Sequence, residues 1–162
     1  MPKKLFYRAG FTLVELLIVI AIIGLLTAIG VGSFQSAKTK AKDAKRKSDL
    51  QTIAKSLEAY ANDHNLYPLS QTDKILCQPA TSTLCDWDEA FTDANGTVYA
   101  PKLPSDELAP KQVYLYDSAS GTSFTLYAHL ENSQDPQIDS TITEQCGTNI
   151  LCNFKVTSTN IE

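Results

Sequence analysis

From Phe11 to Phe34 the chain runs 24 residues with one charged side chain, Glu15. At about 1.5 Å of rise per residue, a helix of that length crosses a hydrocarbon core of ~30 Å. Residues 35–63 contain no glycine and no proline and are rich in Ala, Lys, Leu and Gln, all good helix formers. The two segments together predict one helix from Phe11 to Asp63, roughly 80 Å long at the same rise. It should stop at "HNLYP", where Asn65 suits a left-handed cap and Pro68 cannot continue the helix. A chain of 162 residues built this way holds an anchor and one modest domain. The plain alternative is a secretory signal cut among the small residues 28–33, although the apolar run exceeds the usual core of such signals.

The second half of the helix carries two stripes. At 100° per residue, Leu50, Ile53, Leu57 and Tyr60 share one side, the pattern of a buried face. Ala37, Ala41, Ala44 and Ser48 share nearly the opposite side, which reads either as a groove for close approach of another helix or as simple helix propensity. Residues 69–110 read as irregular, with four prolines, and "DANGT" marks a turn at Asn95-Gly96. Periodicity then changes to two: "QVYLYD" (112–117) and "SFTLYAHL" (123–130) alternate around the loop "SASGT". Phe124, Leu126, Ala128 and Leu130 share the face that should cover the Leu50–Tyr60 stripe, and a strand around residues 150–156 completes a small antiparallel sheet. The expected fold is α+β: residues 11–34 a membrane-spanning helix, 35–63 its amphipathic continuation, and 64–162 a head built on that sheet.

Charge is uneven along the chain. Residues 1–10 hold Lys3, Lys4 and Arg8 and no acid, and residues 38–47 hold six bases against Asp43. From His64 onward there are four bases and thirteen acids. An acidic head on a basic neck is soluble and self-repelling and makes a poor general nucleic-acid binder. The neck bases read as a solvated helix face, with anionic lipid head groups, a neighbouring acidic head, or DNA during uptake as alternatives. The four cysteines form two local pairs, Cys77/Cys85 and Cys146/Cys152, at spacings unlike a zinc knuckle. Outside the cytoplasm they would form disulfides. Three pairings exist, and Cys77–Cys85 with Cys146–Cys152 is the expected one.

Other signals are weak. "DWDEAFTDANG" and the acids Asp135, Asp139 and Glu144 match no calcium-loop spacing, so no metal is expected. Asn95-Gly96-Thr97 has the form of a glycosylation sequon but is first a turn. The two histidines, His64 and His129, have no nucleophile motif nearby, and there is no phosphate loop or dinucleotide fingerprint. Catalysis and a bound cofactor find no support.

A short basic leader ending in Gly10, then Phe11, then Glu15 within "GFTLVELLIVIAIIGLL", resembles the prepilin signature of type IV pilins and type II secretion pseudopilins. The resemblance is dense over residues 8–31 and looser through "LEAYANDHNLYP" and "FTLYAHLEN". It implies cleavage after Gly10 by a prepilin peptidase that also N-methylates Phe11, and it makes Glu15 the assembly glutamate of a shaft subunit. It places the leader in the cytoplasm and the head outside, although the neck bases oppose the positive-inside tendency. The implied partners are copies of the chain, membrane lipid, and an inner-membrane assembly platform with its ATPase; no specific nucleic acid is expected. Many pilins carry a proline where this chain has Gly32-Ser33, so Gly24, Gly30 and Gly32 are the candidates for loosening the helix in a filament.

The physics of Glu15 agrees with that role. An acid at mid-span costs about 2.5–3.5 kcal/mol on insertion scales, less near the edge. Cleavage after Gly10 would create an amine at Phe11 able to neutralise Glu15 of another copy, and a buried charge left without its partner costs roughly 3–5 kcal/mol. Such an acid penalises the lone subunit more than the assembled one. The reading is a filament subunit, with rivals in a secretion or DNA-uptake pseudopilin, a single-pass anchored binding domain, and a secreted domain.

Overall fold

In a computed structural model, residues 10–159 are described, without the side chains of residues 28–33 and Pro79. The leader residues 1–9 and the small side chains of 28–33 invoked for a signal cut therefore lie outside the described residues. The chain divides into two compact units between Lys38 and Thr39.

One helix, α1 (Leu13–His64), spans 52 residues, within two residues of the expected ends. It runs unbroken through Gly24, Gly30 and Gly32. Asn65 takes the expected left-handed conformation at φ 61°, and its N–H bonds to Ala61 O at 2.7 Å, closing the last turn. In the first unit the large apolar side chains from Phe11 to Leu26 are exposed, Phe11 at 87%. An apolar surface this continuous needs a covering of lipid or protein. The span expected over residues 11–34 includes the side chains of 28–33; among the described residues no helix is long and apolar enough to cross a membrane.

The second unit wraps the upper part of α1. The strands are β1 (Ser70–Gln71), β2 (Lys74–Gln78), β3 (Thr83–Cys85), β4 (Phe91–Thr92), β5 (Val98–Ala100), β6 (Leu115–Asp117), β7 (Thr125–Ala128), β8 (Gln145–Gly147), β9 (Ile150–Leu151) and β10 (Phe154–Thr157). The predicted sheet is present as β10-β7-β6, antiparallel throughout, with Tyr116 opposite Leu126 and Leu126 opposite Val156. Leu126 and Ala128 on β7, with Phe124 and Leu130 flanking it, are buried in one core with Leu50, Ile53, Leu57 and Tyr60 of α1. Period-two and helical apolar patterns thus meet face to face, as amphipathic elements must to bury their apolar sides.

Residues 69–110 correct the expectation of irregular structure. They hold the antiparallel sheet β1-β2-β3 and the hairpin β4-β5 around Asn95-Gly96. These strands have two to five residues and register shifts, so alternation is too short to show in the sequence. The strand expected around residues 150–156 is split: β10 completes the sheet, but β9 pairs with β8 in another hairpin, which the sequence reading did not foresee. With Ile142, Leu115, Cys146 and Cys152 it forms a second small core, against which Val113 and Tyr127 pack. Gly121 in the β6–β7 loop (φ 73°) lets the loop meet the chain leaving α1: Tyr67 N–H donates to Gly121 O at 2.8 Å, and a Cβ there would fall 2.9 Å from Tyr67 O.

Candidate functional site

The start of α1 is capped by its own side chains. Glu15 Oε2 accepts from the backbone N–H of Thr12 at 2.9 Å and from the Thr12 hydroxyl at 2.8 Å, while Glu15 N–H donates to Thr12 Oγ1 at 3.2 Å. This is a capping box, in which the N-cap Thr and the N3 Glu satisfy each other's orphan donors. The signal Thr-x-x-Glu was present in the sequence, and reading Glu15 only as an intermolecular charge missed it. Gly10 and Phe11 precede the helix and are exposed. A Cβ on Gly10 would meet nothing within 4 Å, so the described fold gives no reason for glycine there.

The neck corrects the expectation of a solvated basic face in part: Lys38, Lys40 and Lys45 are exposed as expected, but Arg46 is buried. Arg46, 2% exposed, lies within three carboxylates: Asp106 at 2.7 Å, Asp43 at 2.8 Å and Glu131 at 2.7 Å. Burial works against the guanidinium's charge, but the hydrogen bonds it donates to Asp106 and Glu131, with the Asp106 charge, outweigh it and raise its pKa. Asp43, also buried, accepts the backbone N–H groups of Glu131 and Asn132 at 2.9 and 2.7 Å. Gln112 donates to Asp106 and to His129 O. One turn of α1 is thereby tied to the end of β7 and to the loop before β6. Lys47 adds a tie to Asp135 at 2.8 Å, with its ammonium 5.5 Å from the Phe154 ring centroid. Ala37, Ala41, Ala44 and Ser48 are exposed, as their stripe implies.

At the far end of α1, His64 stacks on Tyr60 at 4.1 Å and its Nε2 lies 3.0 Å from Asp93 Oδ2. Burial would raise the Asp93 carboxyl pKa; the N–H groups of Thr97 and Asn95 and the His64 contact outweigh that and lower it. Tyr99 donates to Asp63, and burial and that bond push its pKa up to about 12. Neither histidine adjoins a nucleophile arrangement: His129 Nδ1 contacts Leu151 O at 2.6 Å.

Disulfides join Cys77 to Cys85 and Cys146 to Cys152. The first closes β2 on β3, and the second closes β8 and β9 over the outer face of β6-β7. Among the described residues no group of three or more His, Cys, Asp or Glu is placed to hold a metal. Several of the head's carboxylates are paired with lysines: Asp86 with Lys74, Asp88 with Lys102, Asp135 with Lys47 and Asp139 with Lys155.

Comparison with known proteins gives concordant matches. The family described as the prokaryotic N-terminal methylation motif matches residues 5–31. The type II secretion system core protein G of Pseudomonas aeruginosa is 31% identical over 124 residues, 75% of this chain and 82% of that protein. That of Vibrio cholerae is 28% identical over 130 residues, covering 78% and 84%. The type IV major pilin protein PilE1 of Neisseria gonorrhoeae is 26% identical over 125 residues, covering 77% and 71%. No solved structure gives a significant match. A methylation motif followed by one long helix under a small antiparallel sheet, with a relative this similar over most of both lengths, places the chain in the type IV pilin and type II secretion pseudopilin family.

Proposed function

We propose that this chain is stored in a membrane through α1, cut after Gly10, methylated on the Phe11 amine, and polymerised through the exposed apolar part of α1. Membership of the family makes it a structural, pilin-like filament subunit and not an enzyme. The observation that supports processing is the setting of Gly10. It is exposed, lies just ahead of a capped helix, and has open space where a side chain would be, so a demand for glycine would come from a peptidase. Removal of the leader would leave the new amine four residues before Glu15, where it can meet the Glu15 of a neighbouring copy. The proposed partners are a prepilin peptidase that is also the methyltransferase, and an inner-membrane platform driven by an ATPase. The head would lie outside the cytoplasm and carry the disulfides.

Within the family, a secretion pseudopilin is the reading the relatives favour over a surface pilus. The proteins named type II secretion system core protein G reach 31% identity over 82% of their length, against 26% over 71% for the pilin. Mass spectrometry of the mature N-terminus tests the processing. Methyl-Phe11 supports it, an intact leader supports a single-pass anchored domain, and a start near Phe34 supports a secreted domain. Deleting the chain separates the two filament types: lost export of secreted enzymes marks a pseudopilus, and lost surface filaments with intact export mark a pilus.

A further inference from the structure

Two exposed surfaces of the second unit carry opposite charge, and no ion pair among the described residues joins them. The first is the outward face of α1, where Lys40, Lys45 and Lys55 flank the small residues Ala44 and Ser48. Lys40 and Lys55 are in no ion pair among the described residues, and Lys45 keeps 48% of its side chain exposed while touching Asp49 at 3.2 Å. The second surface lies beside the outer face of β6-β7. It carries Asp73, Asp117 and Glu144, all exposed and none in an ion pair among the described residues. Asp73, Leu115 and Gln145 line one pocket, which brings the surroundings of the three acids together. Asp73 O accepts the N–H of Tyr116, the neighbour of Asp117. Burial first, then the charges of Glu144 and Asp117, raise the pKa of Tyr127. Lys74 of β2 and Lys155 of β10 are paired elsewhere, with Asp86 and Asp139.

We propose that the lysine-flanked face of α1 in one copy docks on the Asp73–Asp117–Glu144 surface of a second copy. The inference rests on the filament reading and assigns that filament a head-to-neck contact between second units. Its partner is argued from charge: three lysines face three carboxylates, and each set lacks a full complement within its own subunit. Because the two surfaces differ, the contact is heterologous, and repeated application of such a contact produces an open polymer instead of a closed dimer. Small residues between the lysines let the partner surface approach the helix closely enough for the charges to pair.

The test uses the full chain expressed with its assembly machinery. One variant is Lys40→Glu/Lys55→Glu, a second is Asp117→Lys/Glu144→Lys, and a third combines all four changes. All the altered side chains are exposed, and circular dichroism of each purified variant checks that it folds. Sheared filament per membrane-held, processed subunit should fall by about tenfold or more in each double variant, since opposed like charges cost several kcal/mol, and most of it should return in the combined variant. Unchanged yield in the neck variant overturns the docking contact, as does failure of the combined variant to recover. A neck variant that is lost from membranes while its filament yield per retained subunit stays constant also overturns it, in favour of anionic lipid as the partner. Absence of filaments from the wild type would sink the filament reading itself, which separates the two failures.

Discussion

Thr12 and Glu15 cap α1 reciprocally, with Glu15 Oε2 2.9 Å from the Thr12 nitrogen and 2.8 Å from its hydroxyl. The side chain that would register one subunit against the next also holds the first turn of its own helix. These two roles are separable by chemistry, because a capping box accepts Gln at the Glu position but an ion pair does not.

Glu15→Gln and Glu15→Leu should both be inserted and cut, since Gly10 is untouched, and both should fail to assemble. Glu15→Asp, one methylene short, should be intermediate. Thr12→Val should retain assembly more fully than Glu15→Gln, at a cap cost of about 1 kcal/mol. The comparison is sheared filament against processed, membrane-held subunit. Abundant filaments from Glu15→Gln would show that the cap, and not the charge, is what assembly needs.

Gly10→Val should block maturation while leaving the described fold alone, because space around Gly10 is open. The subunit should then keep its leader on a gel and in intact-mass measurement. Normal shortening of this variant would remove the prepilin-peptidase step.

Arg46→Met should be among the most damaging substitutions in the second unit, since it strands buried Asp43 and Asp106 without their cation. Breaking such a pair costs roughly 3–5 kcal/mol, and the thermal midpoint of the purified full-length protein should fall by about 10 °C or more. Asp106→Asn added to Arg46→Met should cost much less than it does alone, because the two share one network.

Peptide mapping without reduction should recover Cys77 linked to Cys85 and Cys146 linked to Cys152. Each short loop contributes about 2–3 kcal/mol on the loop-entropy estimate. Their sulfurs are buried, so reduction should need partial unfolding, which is read as a denaturant dependence of thiol labelling.

Asp135 supplies a pH dependence. Its carboxyl pKa lies below that of an ordinary aspartate, lowered first by the Lys47 hydrogen bond and then by the Gln137 N–H. A folded-state pKa below the unfolded one adds stability that is fully present above about pH 4 and is lost as pH falls through the folded value. Lys47→Met should therefore lower the thermal midpoint by a few degrees near neutrality and by less below about pH 3. An equal loss at both pH values would remove the ion pair from the explanation.

Much of this molecule is written locally. The absence of glycine and proline over residues 35–63, Asn65 at the end, and the Leu50–Ile53–Leu57–Tyr60 spacing specify α1 and its buried face, because helix propensity and 3.6-residue periodicity act over a few residues. Alternation in 123–130 likewise marks β7 and the face it buries. The capping box was equally local and could have been read from Thr12 and Glu15. What only the tertiary structure decided is the fate of the neck charges. Arg46 lies between lysines on a helix that by itself would leave it in water, and its burial depends on Asp106 and Glu131, which are 60 and 85 residues away in sequence. The strands between residues 70 and 100 also depend on distant partners, as Tyr116 N–H bonding to Asp73 O shows. A desolvated charge is tolerable only when its counter-charges arrive together. That condition is met by the folding of the whole head on α1, and no short stretch of sequence contains it.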